Sequence, residues 1–331
     1  MTTDNASNMK AACRVSELID DDFGCFDHTL NLILKGGVDK VPYINKCIEK
    51  FKKLASTVHR SSLHLQRIKK SCSNLNQSGT TPCDYRKIIQ PVDTRWNSLL
   101  MMIDSILDLK PALLEIKNST RGADGPFAIV IPDENEFDLI KELSPILRKF
   151  ADVCDFMSGE NYPTICWVLQ KINILQATLS QARDRYNVNK ESTFSNHMSE
   201  YCLEMMTEIE RRWPRGGCTD KVHCISHILH PGMKGYILVK NKTMDHWIEV
   251  LIDEEEGAPE AEVLDQGMIM DEDEEQMMVS QALAQERGSI ESEKSPLAQE
   301  IIAYRRAGTI PLKADVLQYW KLHAKEFPML A

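Results

Sequence analysis

What this 331-residue sequence lacks narrows its reading first. No apolar run approaches the roughly 18 to 20 residues that cross a bilayer, so no membrane partner is expected. The first ten residues are polar, unlike a secretory signal. An intracellular chain follows as the expectation. The ten cysteines include no C-x-x-C pair and are dispersed from Cys13 to Cys224, which fits reduced thiols better than a disulfide framework. No internal repeat is present.

Acidic charge is also missing from most of the chain, despite a net charge of −10. Between Leu251 and Gln276 stand 12 Asp or Glu and no Lys or Arg; the rest of the chain keeps 37 acidic against 39 basic residues. The acidity is local, and it does not argue against contact with nucleic acid. With 43% hydrophobic residues and a mean hydropathy of −0.32, the remainder is globular in character and long enough for two or more structural units.

What is present reads mostly as helix. Asn8 to Leu18 suits a first helix, and Phe23-Gly24-Cys25-Phe26 a short buried strand that runs into a helix bearing Leu30, Ile33 and Leu34. Gly36-Gly37 is expected to end that helix as a left-handed cap. From Tyr43 to Lys70, Ile44, Cys47, Ile48, Phe51, Leu54, Ala55 and Val58 recur at three- and four-residue steps. The same segment carries Lys46, Lys50, Lys52, Lys53, Arg60, Arg67, Lys69 and Lys70 against one acid, Glu49. Such a face either is merely solvated or contacts phosphates. Ser71 to Thr81 reads as a polar loop, and Pro111 should break or restart the helix that begins at Leu99.

Residues 133–214 read as all-helical. Asp133 and Glu136 have capping-box spacing, Pro163 suits the first turn of the next helix, and Tyr201, Met205, Ile209 and Trp213 mark a third. The acidic run predicts a disordered linker, and residues 296–331 a return to order.

Four constellations carry possible chemistry. Asp4 is either a helix N-cap or a carboxylate at a strand end that holds divalent metal. Cys25 and His28 have the spacing of half a zinc site, but zinc wants four ligands and no second pair follows. Cys218, His223, Cys224, His227 and His230 fall among Val222, Ile225, Ile228 and Leu229 at helical spacing, which reads as a helix with histidines on one face. In Asp93-Thr94-Arg95-Trp96-Asn97-Ser98, Trp96 is either a core anchor or a platform for an unpaired base, with Arg95 on phosphate.

Taken in order, three of these stretches resemble the core of hAT-superfamily transposases and the host proteins derived from them. They are Thr3-Asp4-Asn5-Ala6-Ser7-Asn8, Cys25-Phe26-Asp27-His28-Thr29-Leu30-Asn31, and Thr94-Arg95-Trp96-Asn97-Ser98. Further matches are Ser158-Gly159-Glu160 with Tyr162-Pro163-Thr164, and Glu300-Ile301-Ile302-Ala303-Tyr304 leading through Trp320 to Phe327-Pro328-Met329-Leu330-Ala331. The family's Leu-Asp-Pro-Arg-like element is replaced here by Leu229-His230-Pro231-Gly232.

The resemblance implies an α/β fold with predominant helix: an incomplete RNase H-like core (residues 1–120) interrupted by an all-helical insertion (121–250). A disordered acidic linker (251–295) and the start of a C-terminal dimerisation region (296–331) follow. It implies that Asp4 is a relic metal-binding acid, that Cys25 and His28 stand beside the active site, and that Arg95 and Trp96 contact DNA. It further implies that Ile301, Tyr304, Tyr319, Trp320 and Phe327 serve self-association. The family's two other catalytic acids and its BED-type zinc finger are not found in the sequence. The expected protein is therefore nuclear, DNA-contacting and self-associating, without catalytic competence as given. No cofactor is expected for this chain, and Mg²⁺ only for an intact family member. Two alternatives stay open: a fragment of an active, metal-dependent transposase, and a dimerising protein without DNA binding.

Overall fold

Apolar residues at helical steps build almost everything that can be seen. A computed structural model describes residues 2–3, 23–79, 81–92, 96–119, 125–160, 162–188, 194–234, 246–252, 295–312 and 314–331. The expected helix at Asn8 to Leu18 and the acidic run from 253 onward lie outside the described residues.

Two short strands, β1 (Thr2–Thr3) and β2 (Phe23–Gly24), pair in parallel, Thr2 opposite Phe23 and Thr3 opposite Gly24. Among the described residues the α/β part of the expected fold reaches no further than this sheet; what surrounds it is helical. The helices are α1 (Phe26–Lys40), α2 (Pro42–His59), α3 (Ser62–Ser78), α4 (Trp96–Leu107), α5 (Lys110–Ser119), α6 (Gly125–Val130) and α7 (Glu134–Met157), then α8 (Val168–Val188), α9 (Ser195–Arg212), α10 (Lys221–Ile228), a helical stretch at 246–252, α11 (Pro296–Arg306) and α12 (Val316–His323).

The described chain divides into two compact units. The first comprises Met1–Gly159 and Gln170–Gly216, the second Glu160–Leu169 and Gly217–Ala331. In the first, all seven apolar residues picked out between Ile44 and Val58 are buried on one side of α2. Phe51 is fully buried and meets the ring of Phe137 edge-on at 5.4 Å. Burial of a side chain of that size contributes about 1.5–3 kcal/mol. In the second unit, Leu169, Cys224, Ile228, Trp247, Ile248, Leu297 and Ile301 form one cluster. Tyr304, Tyr319 and Phe327 form another.

The capping box is present as the spacing predicts. Glu136 N–H donates to Asp133 Oδ1 at 2.9 Å, and Asp133 N–H donates back to Glu136 Oε2 at 2.8 Å. Pro111 sits at the second residue of α5, where its missing N–H costs nothing.

Three local expectations need correction. Gly36 and Gly37 do not end α1, which continues to Lys40. A β-carbon on Gly37 would stand 2.5 Å from Met205 Sδ and 2.9 Å from its Cγ, so glycine here lets α1 lie close against α9. Ser71 to Ser78 is helix, not loop: Ile68, Ser71 and Cys72 give α3 a buried face, and the Ser71 hydroxyl bonds Ala112 O at 2.9 Å and Glu115 on α5. Gly79, at φ 68°, is the left-handed cap. Finally, Pro163 precedes a 3-10 turn (Ile165–Trp167) rather than opening α8.

Candidate nucleic-acid interface

Helical periodicity aligns the cations of α2. Positions seven apart fall about 20° short of two full turns, so Lys46 and Lys53 share a stripe that leads to Arg60, and all three are exposed. Lys50 lies on the same stripe but is committed elsewhere: its Nζ stands 2.5 Å from Glu136 Oε2, the carboxylate that also closes the α7 capping box. Lys52 faces another way and meets Glu49, the one acid of the segment, at 2.7 Å. The eight cations are thus unequal, Lys50 and Lys52 being held in ion pairs.

Past the break at Arg60 and Ser61, α3 carries Arg67, half-buried, and Lys69 and Lys70, both exposed. Lys69 Nζ lies 4.9 Å from the centre of the Tyr85 ring, a cation–π approach worth about 0.5–1 kcal/mol at an exposed site. That contact brings the stretch 81–92 beside α3, and with it the exposed Arg86 and Lys87. Arg86 pairs with Asp108 at 3.2 Å across solvent. Sequence reasoning missed Tyr85, Arg86 and Lys87 because 81–92 has no periodicity. An aromatic followed by two cations was the available signal.

Some of the other expected site residues lie outside the described residues. Asp4, which follows β1, and Arg95 fall among the undescribed positions, and Trp96 is placed only as the first residue of α4. Cys25 is the N-cap position of α1, its carbonyl accepting from Thr29 N–H and Thr29 Oγ1, each at 3.0 Å; His28 stands in the first turn. Asp27, the carboxylate between them, takes the Ser158 hydroxyl at 2.7 Å. Among the described residues no three His, Cys, Asp or Glu side chains are grouped to hold a metal ion. Asp4, the acid that the resemblance assigns to a divalent metal, lies outside that set.

The C-terminal aromatic set is internal to the second unit. Ile301, Tyr304, Tyr319 and Phe327 are buried. Tyr304 Oη donates to Ile228 O at 3.1 Å, and the half-buried Trp320 donates from Nε1 to Leu229 O at 3.2 Å. Lys234 donates to Tyr304 O at 2.5 Å and lies 4.3 Å from the Tyr304 ring centre. The exposed apolar residues of this segment are Leu317, Leu322 and Met329. His227 and His230 are buried in the same unit; burial lowers the pKa of both.

Residues 23–142 match the family model described as the ZBED1 RNase-like helical domain. The chain is 32% identical over 143 residues to the "Putative AC transposase" of Zea mays, a match that covers 42% of this chain and 16% of that protein. It is 28% identical over 166 residues to the "Putative AC9 transposase" of Zea mays, covering 42% of this chain and 18% of that one. The chain thus matches less than a fifth of the length of either relative. Helices α1 to α6 and the start of α7, which carry the cationic surface, make up the matched RNase-like helical segment. The chain is related to hAT-type transposases, as the motifs around Cys25 and Trp96 suggested.

Proposed function

We propose that this chain is a transposase-derived nuclear protein that contacts DNA through phosphates and self-associates. The observation that carries the DNA reading is the exposure of six cations within the matched segment, Lys46, Lys53 and Arg60 along α2, Lys69 and Lys70 on α3, and Lys87 in the stretch beside α3. Lysines and arginines on a helical face meet a regularly spaced line of phosphates without reading sequence, which makes the contact weak and salt-dependent. Tyr85, beside Lys69, adds an aromatic surface at the edge of the array.

Six phosphate contacts to duplex DNA give log K a slope of about −5 against log salt. Fluorescence anisotropy with a random-sequence duplex measures it. Reversal of four charges (Lys46→Glu, Lys53→Glu, Lys69→Glu and Lys70→Glu) should remove most of that slope and leave helicity unchanged. Binding that ignores salt, or survives the four reversals, rules this surface out.

Self-association is the second half of the proposal. Leu317, Leu322 and Met329 leave apolar surface exposed at 67%, 74% and 42% beside the internal aromatic set. Burial against a second copy would remove that surface from water. Light scattering should show a dimer or larger species at micromolar concentration, shifted toward monomer by Leu317→Asp with Leu322→Asp. A monomer at every concentration rejects it.

A further inference from the structure

All nine cysteines among the described residues are free thiols, and two pairs of them lie close together. Cys72 and Cys83 stand 3.6 Å apart, both buried. The Cys224 sulfur lies 3.4 Å from the carbonyl oxygen of Cys218, and here Cys224 is fully buried and Cys218 is half-buried. We propose that Cys218 and Cys224 form a peroxide-oxidisable dithiol, in which Cys218 is the attacking sulfur and Cys224 the resolving one. The proposal concerns the second unit and is independent of the DNA reading.

The local fold sets up this asymmetry. Cys218 lies in the turn before α10, and Asp220 caps that helix by accepting from His223 N–H at 2.9 Å. Six residues along, α10 places the Cys224 thiol back against Cys218, where it donates to the carbonyl oxygen at 3.4 Å. Trp247 fixes the same carbonyl from the other side, donating from Nε1 at 3.1 Å. The neighbouring Cys224 thiol favours the Cys218 thiolate and brings its pKa down to about 7. The nearness of Cys218, with burial, pushes the Cys224 thiol well up. Burial raises Cys72, in the other pair, to about 12. A thiolate is the reactive form of cysteine, and a neighbouring thiol decides whether its oxidation stops at the sulfenic acid.

The chemistry balances with a hydroperoxide as oxidant. Cys218 sulfur attacks one peroxide oxygen; the O–O bond breaks, and hydroxide leaves and takes a proton to become water. Sulfur is oxidised to the sulfenic acid and the peroxide is reduced. Cys224 sulfur then attacks Cys218 sulfur, the S–O bond breaks, and the hydroxyl leaves as water with the Cys224 proton. Two thiols and one hydrogen peroxide give one disulfide and two waters.

The test is to treat the full chain with hydrogen peroxide at pH 7.5, block the remaining thiols with N-ethylmaleimide, and map the peptides by mass spectrometry. A Cys218–Cys224 linkage, reversed by dithiothreitol, should form roughly tenfold faster than oxidation at any other of the cysteines. In Cys224→Ser, and equally in Cys224→Ala, dimedone should capture Cys218 as the sulfenic acid. In Cys218→Ser, Cys224 should stay reduced. Circular dichroism checks that the variants keep their helix. Oxidation of Cys72 and Cys83 ahead of this pair, unchanged oxidation of Cys224 in Cys218→Ser, or no linkage in the parent chain overturns the proposal.

Discussion

The two units bury polar groups by different rules. In the first, the buried Glu208 is met by Lys40 at 3.2 Å, Arg211 at 2.8 Å and Arg212 at 3.3 Å, and the buried Ser71 and Ser105 bond to neighbouring chain. In the second, Glu300 is held by backbone: its Oε1 accepts the N–H groups of Met329 and Leu330, each at 2.8 Å, and no cation pairs with it among the described residues. Two imidazoles are buried there as well. His227 has Nδ1 at 3.2 Å from Cys166 O and no hydrogen-bond partner on Nε2; His230 Nδ1 accepts from Gly232 N–H at 3.1 Å. A carboxylate surrounded by cations is stabilised as the ion, whereas an imidazole among apolar side chains is stabilised as the neutral base. The first unit should therefore respond mainly to changes of packing, and the second also to pH and oxidation.

The largest effect expected from a single change tests the packing side. Gly37→Leu puts a branched side chain where even a β-carbon meets Met205, with Tyr201 Cε2 at 3.3 Å behind it. Met205 and Tyr201 are fully buried, so neither has free space to move into. Overpacking of this kind costs about 1–3 kcal/mol. Gly308 in the second unit is the matched control, since a β-carbon there meets nothing within 4 Å. Gly308→Ala should stay within about 0.5 kcal/mol, the range of uncrowded surface changes. Urea unfolding measures both. Equal midpoints for the two variants would show that α1 and α9 do not need their close approach.

These glycines also show where the sequence could be read and where it could not. Asp133 and Glu136 announce the start of α7 because a capping box acts within four residues. The apolar steps of α2 are equally local, and every one of those positions is buried. Gly36-Gly37 has the local look of a helix end, but its reason is Met205, more than 160 residues away in the chain. Ser71 to Ser78 reads as loop from composition, and becomes helix because α5 supplies partners for Ser71. Within the cationic surface, the stripe of Lys46, Lys53 and Arg60 was legible from periodicity. The commitment of Lys50 to Glu136, 86 residues away, was not. Nor was the approach of Tyr85 to Lys69, since nothing local in 81–92 says where it packs.

A smaller effect separates the units by acid. Burial lowers the pKa of His227 and His230, and of His223 despite the opposing pull of Asp220. Below the ordinary imidazole value of 6.5 the unfolded chain binds protons that the folded unit refuses. Their contribution to stability is thus present above that pH and is lost as pH falls below it. Glu208 behaves differently: the hydrogen bond from Arg211, with help from Lys40, lowers its pKa, so its contribution persists until pH drops below the ordinary carboxylate value of 4.5. Of the titratable groups near His227 and His230, burial raises the Cys166 thiol, and the nearby Cys218 with burial raises the Cys224 thiol. Both thiols remain neutral in acid, so neither offsets the histidines. Between pH 7 and 5, hydrogen exchange corrected for its intrinsic pH dependence should lose protection in α10 and α11 while α1 and α9 keep theirs. His227→Gln, whose amide can still donate to Cys166 O, should reduce that loss. Protection in α10 that stays constant down to pH 5, or that falls equally in His227→Gln, would mean that these imidazoles accept their protons without disturbing the unit.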